Sequence, residues 1–162
     1  MELETERLRL RPLRDEEMRE MIRNEQDPDL QQAYSEMLQG CLQEPENRLW
    51  HVIWGIERKD EPGTVIGDLS FKGRNPDGMA EIGYGLRAGF CGKGYMTEAL
   101  LRITEWALAQ EGVVRVEAET DPDNLASQRV LAACGFIPTG TRGEEGPRFV
   151  YRQAEQKGAA AQ

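Results

Sequence analysis

The chain has 162 residues, 39% apolar and 30% charged, with a formal net charge of −9 at pH 7 and a pI near 4.8. That length and composition suit one folded domain with a sizeable core and exclude a disordered chain, and no apolar run approaches the ~20 residues of a membrane-crossing helix. So acidic a surface repels nucleic acid and favours cationic partners such as amines or basic peptides.

The opening Met1-Glu2-Leu3-Glu4-Thr5-Glu6 is acidic where a secretory leader is basic and then apolar, so a cytoplasmic location is expected. From Thr5 to Leu13, Leu8 and Leu10 alternate with Arg7, Arg9 and Arg11, the pattern of a half-exposed strand with a solvated arginine face, stopped by Pro12. Asp15 is the expected N-cap of a short helix through Met18, Met21 and Ile22. Asp27 followed by Pro28 offers a second N-cap, and Leu30, Ala33, Tyr34, Met37 and Leu38 continue at helical spacing. The polar stretch from Gln43 to Asn47 closes this helical part.

Leu49 to Glu57 is rich in aromatic and β-branched residues and predicts a strand, on which the single histidine, His51, reads as structural rather than catalytic. Turns over Lys59–Gly63 and Gly73–Gly78 bracket a strand from Thr64 to Phe71, and a further strand runs from Ala80 to Arg87. On that last strand Ile82, Tyr84 and Leu86 form a packed face, while Glu81, Gly83, Gly85 and Arg87 leave the other bare. The loop Gly89-Phe90-Cys91-Gly92-Lys93-Gly94-Tyr95-Met96 then enters a helix whose apolar face is Met96, Ala99, Leu100, Ile103, Ala107 and Leu108. Glycines that run into a helix N-terminus leave N–H groups pointing one way with the helix dipole behind them, a seat for phosphate. The predicted ligand is narrow, lying along the bare strand towards that seat.

Val113 to Thr120 predicts the next strand, with Val114, Val116, Ala118 and Thr120 on one face and Val113, Arg115, Glu117 and Glu119 on the other. Joined to Ala80–Arg87 by a helical crossover, it pairs with that strand in parallel, so the sheet is mixed. Asp121-Pro122-Asp123-Asn124 turns into a helix over Ala126, Ser127, Val130, Leu131 and Cys134, ended by Gly135. Pro138–Arg142 and Arg148–Arg152 read as a closing hairpin; residues 1–153 are taken as one domain and 154–162 as a flexible tail. Cys41, Cys91 and Cys134 have no spacing that supports a disulfide framework or a metal site, and a small loop residue is the preferred reading of Cys91. The Gly-x-x-x-x-Gly-Lys-Ser/Thr pattern of a P-loop is not met, since Lys93 is followed by Gly94 and Tyr95, and ATP binding tighter than CoA binding would be needed to revive that reading.

Glu81-Ile82-Gly83-Tyr84, Gly92-Lys93-Gly94-Tyr95-Met96-Thr97-Glu98-Ala99, Asn124-Leu125-Ala126-Ser127 with Gly135-Phe136, and the opening Thr5-Glu6-Arg7-Leu8-Arg9-Leu10-Arg11-Pro12 together resemble the GNAT superfamily of N-acetyltransferases. Within it they are most similar to the ribosomal-protein alanine N-acetyltransferase (RimJ/RimL-like) branch. The resemblance implies an α+β fold whose mixed, mostly antiparallel sheet is splayed between two central parallel strands, with helices on both faces. It implies acetyl-CoA as co-substrate, with no metal and no membrane partner, and direct transfer of acetyl to a primary amine on a protein N-terminus or a small molecule. The pantetheine arm would pair with the strand ending at Leu86 and Arg87, and the pyrophosphate would sit on Cys91, Gly92, Lys93, Gly94, Tyr95 and Met96.

By the same resemblance Glu119 or Glu81 is the general base, and Ser127 is the proton donor to the CoA thiolate or its hydrogen-bond partner. Leu131 stands where many relatives have a tyrosine, and Asn124 either bonds the pantetheine or caps the helix. Gly89 departs from the Gln or Arg common at that point of the loop, which puts cofactor affinity in question. Asp27–Asn47 and the hairpin near Gly143 are the expected walls of the acceptor pocket, and homodimers are common among relatives. A GNAT module that binds acyl-CoA without catalysis is the alternative.

Overall fold

The computed structural model describes residues 1–152, so the expected 154–162 tail lies outside the described residues. Strands β1 (Leu3–Glu4), β2 (Leu8–Pro12), β3 (Trp54–Arg58), β4 (Val65–Arg74), β5 (Met79–Leu86), β6 (Arg115–Glu119), β7 (Ile137–Arg142) and β8 (Pro147–Arg152) form one sheet in the order β1-β2-β3-β4-β5-β6-β8-β7. Helices α1 (Asp15–Asn24), α2 (Pro28–Gln43) and α3 (Arg48–His51) lie between β2 and β3, α4 (Tyr95–Leu108) joins β5 to β6, and α5 (Leu125–Ala133) joins β6 to β7. Every neighbouring pair of strands is antiparallel except β5 with β6, as the helical crossover requires.

The register divides the sheet into two faces. Trp54, Leu69 and Tyr84 stand opposite one another across β3, β4 and β5, and the row beside them is Gly55, Asp68 and Gly85. Neighbouring rows point to opposite faces. The first face carries Leu8, Leu10, Trp54, Ile56, Leu69 and Ile82, all of them fully or almost fully buried. Helix α4 covers it, with the Trp106 ring 5.3 Å from Trp54 and 5.8 Å from Phe71. At roughly 1.5–3 kcal/mol for each large apolar side chain removed from water, this face supplies most of the core. The second face is polar: Arg11 and Glu57 lie on it beside Gly55, and Glu17 of α1 reaches Arg11 at 2.8 Å.

Three expectations need correction. Asp15 is not the N-cap of α1; Arg14 is, because Glu17 accepts the Arg14 N–H at 2.9 Å and Asp15 falls in the first turn, where it pairs with Arg48 at 2.6 Å. Leu49 to His51 is helix, not strand. A 3₁₀ turn over Pro45–Asn47 starts it, the Trp54 indole N–H donates to the Leu49 carbonyl at 3.1 Å, and Trp50 packs 4.7 Å from Phe71 and 5.0 Å from Trp106. Tertiary packing of the indole overrides the strand preference of the segment. Finally, β6 starts only at Arg115, so Val113 is buried ahead of the strand and Val114 is exposed, the reverse of the alternation expected there.

The feature that positions the site is the pairing of β5 with β6. It holds only for Met79, Ala80 and Glu81 against Arg115, Val116 and Glu117. Beyond Glu81, β5 runs on to Leu86 paired with β4 alone, while β6 turns its other edge to β8. The sheet opens there like a V.

Candidate active site

Along the opened edge, from Ile82 to Leu86, β5 has no strand partner on the β6 side among the described residues. Unpaired strand edges are templates for an extended amide-bearing ligand. The edge leads into the glycine loop, where Gly89, Gly92 and Gly94 all have positive φ, of 96°, 78° and 82°. A Cβ at Gly89 or Gly92 would meet nothing within 4 Å, so the loop is an open cradle, and Gly94 is the N-cap of the 14-residue helix α4. Cys91 and Lys93 are exposed on it, Tyr95 is half-buried, and Met96 is buried beneath it. Backbone amides, a helix N-terminus and the open space over Gly89 and Gly92 fit the diphosphate of a CoA thioester, and the unpaired β5 edge fits its pantetheine.

Arg7, read from the sequence as one of a solvated row, braces this loop. Its guanidinium donates to the Lys93 carbonyl at 3.0 Å and to Glu98 at 2.8 Å, and lies 4.5 Å from the centre of the Tyr95 ring. Glu98 also accepts the Arg7 N–H and the Thr5 hydroxyl. The N-terminal strand is thereby tied to the first turn of α4.

At the mouth of the V, Ser127 of α5 shares a 2.8 Å hydrogen bond with the Tyr84 hydroxyl of β5. Asn124 caps α5 by accepting the Ser127 N–H at 3.0 Å, the second of the two roles weighed for it. Burial pushes the Tyr84 hydroxyl up to about 12, against the opposing pull of its bond to Ser127. The pair is therefore protonated at neutral pH and placed where the two strands part. Leu131 is fully buried in the core below.

Glu119, partly buried with its side chain only 8% exposed, is held by Arg148 at 2.7 Å and by the Glu145 N–H. Burial would raise its carboxyl, but the Glu145 N–H, the Arg148 guanidinium and the Gly146 N–H hold it below the ordinary range. Glu81 lies 3.4 Å from the same guanidinium and Glu117 3.0 Å from it, so Arg148 gathers three carboxylates. Gly143 makes this possible: a Cβ there would fall on the Glu119 carboxylate. Of the two sequence candidates for a base, Glu119 faces the site cavity and Glu81 is not among the residues that line it.

That cavity, about 1210 Å³, runs from α1 and α2 across the bare strand face to the V. Met21, Tyr34 and Met37 form its apolar wall, Gly83 and Gly85 its floor, and Tyr84, Ser127 and Glu119 its inner end. Asp68 of β4 lies on the floor opposite Gly85. Burial is the main cause that lifts its carboxyl to about 6, with Arg87 acting against the rise and Glu25 adding to it. Neither Asp68 nor the Tyr84 hydroxyl stood out in the sequence. The only signals are a charge inside the apolar run Val65-Ile66-Gly67-Asp68-Leu69 and a hydroxyl between two glycines.

Comparison with known proteins bears on this geometry. The family pattern described as "Acetyltransferase (GNAT) domain" matches residues 7–137. The chain is 41% identical over 86 residues to the uncharacterized N-acetyltransferase YjdG of Bacillus subtilis (strain 168), a match covering 52% of this chain and 50% of YjdG. The uncharacterized N-acetyltransferase p20 of Bacillus licheniformis is 32% identical over 81 residues, covering 49% of this chain and 46% of p20. The chain thus spans about half the length of these curated relatives. Among solved structures, the ribosomal-protein-S5-alanine acetyltransferase of Vibrio fischeri superposes with a TM-score of 0.74 at 18% identity, over 96% of this chain and 98% of that one. RimL, a ribosomal L7/L12 α-N-protein acetyltransferase solved with coenzyme A, gives 0.72 at 18% identity, over 94% and 98%. At such identities the likeness is one of fold.

Proposed function

Because this chain belongs to the GNAT acetyltransferase family, we propose that it moves the acetyl group of acetyl-CoA directly onto a primary amine, of a protein N-terminus or a small molecule. The observation that carries the reading is the β5 edge, left without a strand partner beyond Glu81 and continuous with the positive-φ loop at the N-terminus of α4. In this proposal the edge from Ile82 to Leu86 holds the pantetheine amides, and the main chain of Cys91 to Met96 holds the diphosphate, with Arg87 flanking. Since main-chain N–H groups do this work, Gly89 in place of a longer side chain leaves the cradle intact.

Ser127, backed by Tyr84, protonates the departing thiolate; both hydroxyls are already on one hydrogen bond at the open end of the sheet. Glu119, tied to Arg148 and held ionised, is a weak base; its part is to fix the Glu144–Gly146 turn and to keep the inner end of the cavity anionic. Cys41 and Cys134 are buried thiols and Cys91 an exposed one, none of them paired, which suits a reducing compartment such as the cytoplasm. The names of the ribosomal-protein neighbours keep a protein N-terminus among the acceptors worth testing first.

The test is in two parts: the thermal midpoint titrated with CoA, acetyl-CoA and ATP, and thiol release from acetyl-CoA over a panel of amines and Ser- or Ala-headed peptides. A rise with both CoA species and not with ATP, together with acceptor-dependent thiol release, is the expected result. Binding without release on any amine would reduce the protein to an acyl-CoA-binding module; no binding would remove the reading altogether.

A further inference from the structure

We propose that Asp68 is the acceptor-amine residue: its carboxylate binds the incoming ammonium on the cavity floor and takes the proton that must leave before the nitrogen can attack. The proposal rests on the acetyl-transfer reading above and adds a catalytic residue to it.

Position is the first argument. Asp68 pairs across the β4–β5 ladder with Gly85, and its neighbour on the same face, Ser70, pairs with Gly83. The two glycines put no side chain beside the carboxylate, so an acceptor that crosses the cavity towards the V passes over it. Gly85 itself belongs to the strand whose other edge is proposed to carry the thioester, one residue from Tyr84.

The buried and partly buried carboxylates around Asp68 are already bound. Glu17 is bound by Arg11 and Arg14, Glu57 by Arg11 and the Gly63 N–H, and Glu119 by Arg148 and the Glu145 N–H. Among the described residues the Asp68 carboxylate is in no hydrogen bond or ion pair, although the residue is partly buried. A partly buried carboxylate without a donor is costly to keep, and a ligand ammonium is the group that would relieve that cost. The groups that act on it from the surrounding elements are Tyr34 of α2, Glu25 at the end of α1 and Arg87 at the end of β5. They leave it ionised at neutral pH and closer to neutrality than an ordinary aspartate, as a general base requires. Burial, with Asp68 and Glu25 adding to it, pushes the Tyr34 hydroxyl up to about 12, so Tyr34 beside it remains a donor.

The protons balance. The ammonium gives one proton to an Asp68 oxygen, and the freed lone pair forms the C–N bond at the thioester carbonyl carbon. The C–S bond breaks with its electron pair on sulfur, and the thiolate takes a proton from the Ser127–Tyr84 pair. The second proton lost from nitrogen restores that pair, and Asp68 returns the first to water. Ammonium plus thioester thus gives amide, thiol and one released proton.

The experiment compares the wild-type chain with Asp68→Asn and Asp68→Glu. With saturating CoA, which cannot react, the thermal midpoint is titrated with spermidine and with an Ala-headed tripeptide; with acetyl-CoA, thiol release by whichever amine is turned over is followed from pH 5 to 9. The proposal expects the amine-dependent shift to be lost in Asp68→Asn while the CoA-dependent shift stays. It expects kcat/KM to fall by about 10²–10⁴-fold, the range for removing a general base, and the limb near pH 6 to disappear, with partial recovery in Asp68→Glu. Equal amine shifts in both proteins, no amine shift in either, or a retained limb near pH 6 would overturn it. Loss of the CoA shift in the wild type would instead strike the acetyl-transfer reading itself. Folding of the variant is read from its midpoint without ligand. A carboxyl whose folded pKa is raised adds stability that is present at low pH and lost as pH rises through about 6, so Asp68→Asn is expected to gain on the wild type above pH 6 and to lose that gain towards pH 4.

Discussion

Ser127 and Tyr84, the proposed proton donor, show how little of such a pair is visible one residue at a time. A serine in the first turn of a helix and a tyrosine on the packed face of a strand are ordinary, and only the 2.8 Å bond between them, at the point where the sheet opens, gives them a joint role. Tyr84→Phe and Ser127→Ala are each expected to lower kcat by about 10–10³-fold with CoA affinity nearly unchanged, and the double variant to be little worse than the poorer single one, since groups that act as a unit are not additive. Multiplying effects in the double variant would mean that the two hydroxyls work apart. Asp68 is the complementary case: its proposed role comes from a carboxylate lacking the partner that Glu17, Glu57 and Glu119 each have.

At the scale of elements, the glycine loop was the most legible part of the sequence, because positive φ at Gly92 and Gly94 follows from local chemistry and needs no distant partner. The parallel pairing of β5 and β6 was equally legible from the length of the crossover helix. Leu49–His51 was not, because its conformation is decided by Phe71 and Trp106, rings far away in sequence. Nor was the brace of Arg7 on Lys93 and Glu98, which ties the start of the chain to the N-terminus of α4. Gly92→Ala tests the loop. A Cβ there has open space, so the cost is the left-handed backbone alone, about 1–2 kcal/mol, and if the loop shifts to relieve it CoA binding weakens by about 5- to 30-fold. Gly112→Ala, also at positive φ with open space but remote from the loop, should lose similar stability and leave CoA affinity unchanged. Equal CoA affinities in the two variants, with the loop shown to have moved by changed amide exchange at Gly92 to Met96, would show that the loop does not hold the ligand.

On the scale of the whole molecule, the cavity is assembled from distant parts of the chain: α1 and α2 before the central strands, Asp68 and the β5 floor in the middle, Ser127 and the Glu145 hairpin near the end. That is why the sequence marks the walls only as the segments Asp27–Asn47 and the hairpin near Gly143, and the Gly83 and Gly85 part of the floor but not Asp68. The net charge of −9 favours cationic partners, and the cavity carries the same bias, since Glu20, Glu25 and Asp29 line its outer part with Arg87 and Lys72 as the opposing charges. The claim beneath all of these is that the opened β5 edge and the glycine loop are where the CoA thioester lies. Amide hydrogen exchange with and without CoA tests it most directly. The account predicts slowed exchange at backbone amides between Ile82 and Leu86 and between Gly92 and Met96, with β1 and β2 unaffected; protection confined to other segments, or none at saturating CoA, would contradict it.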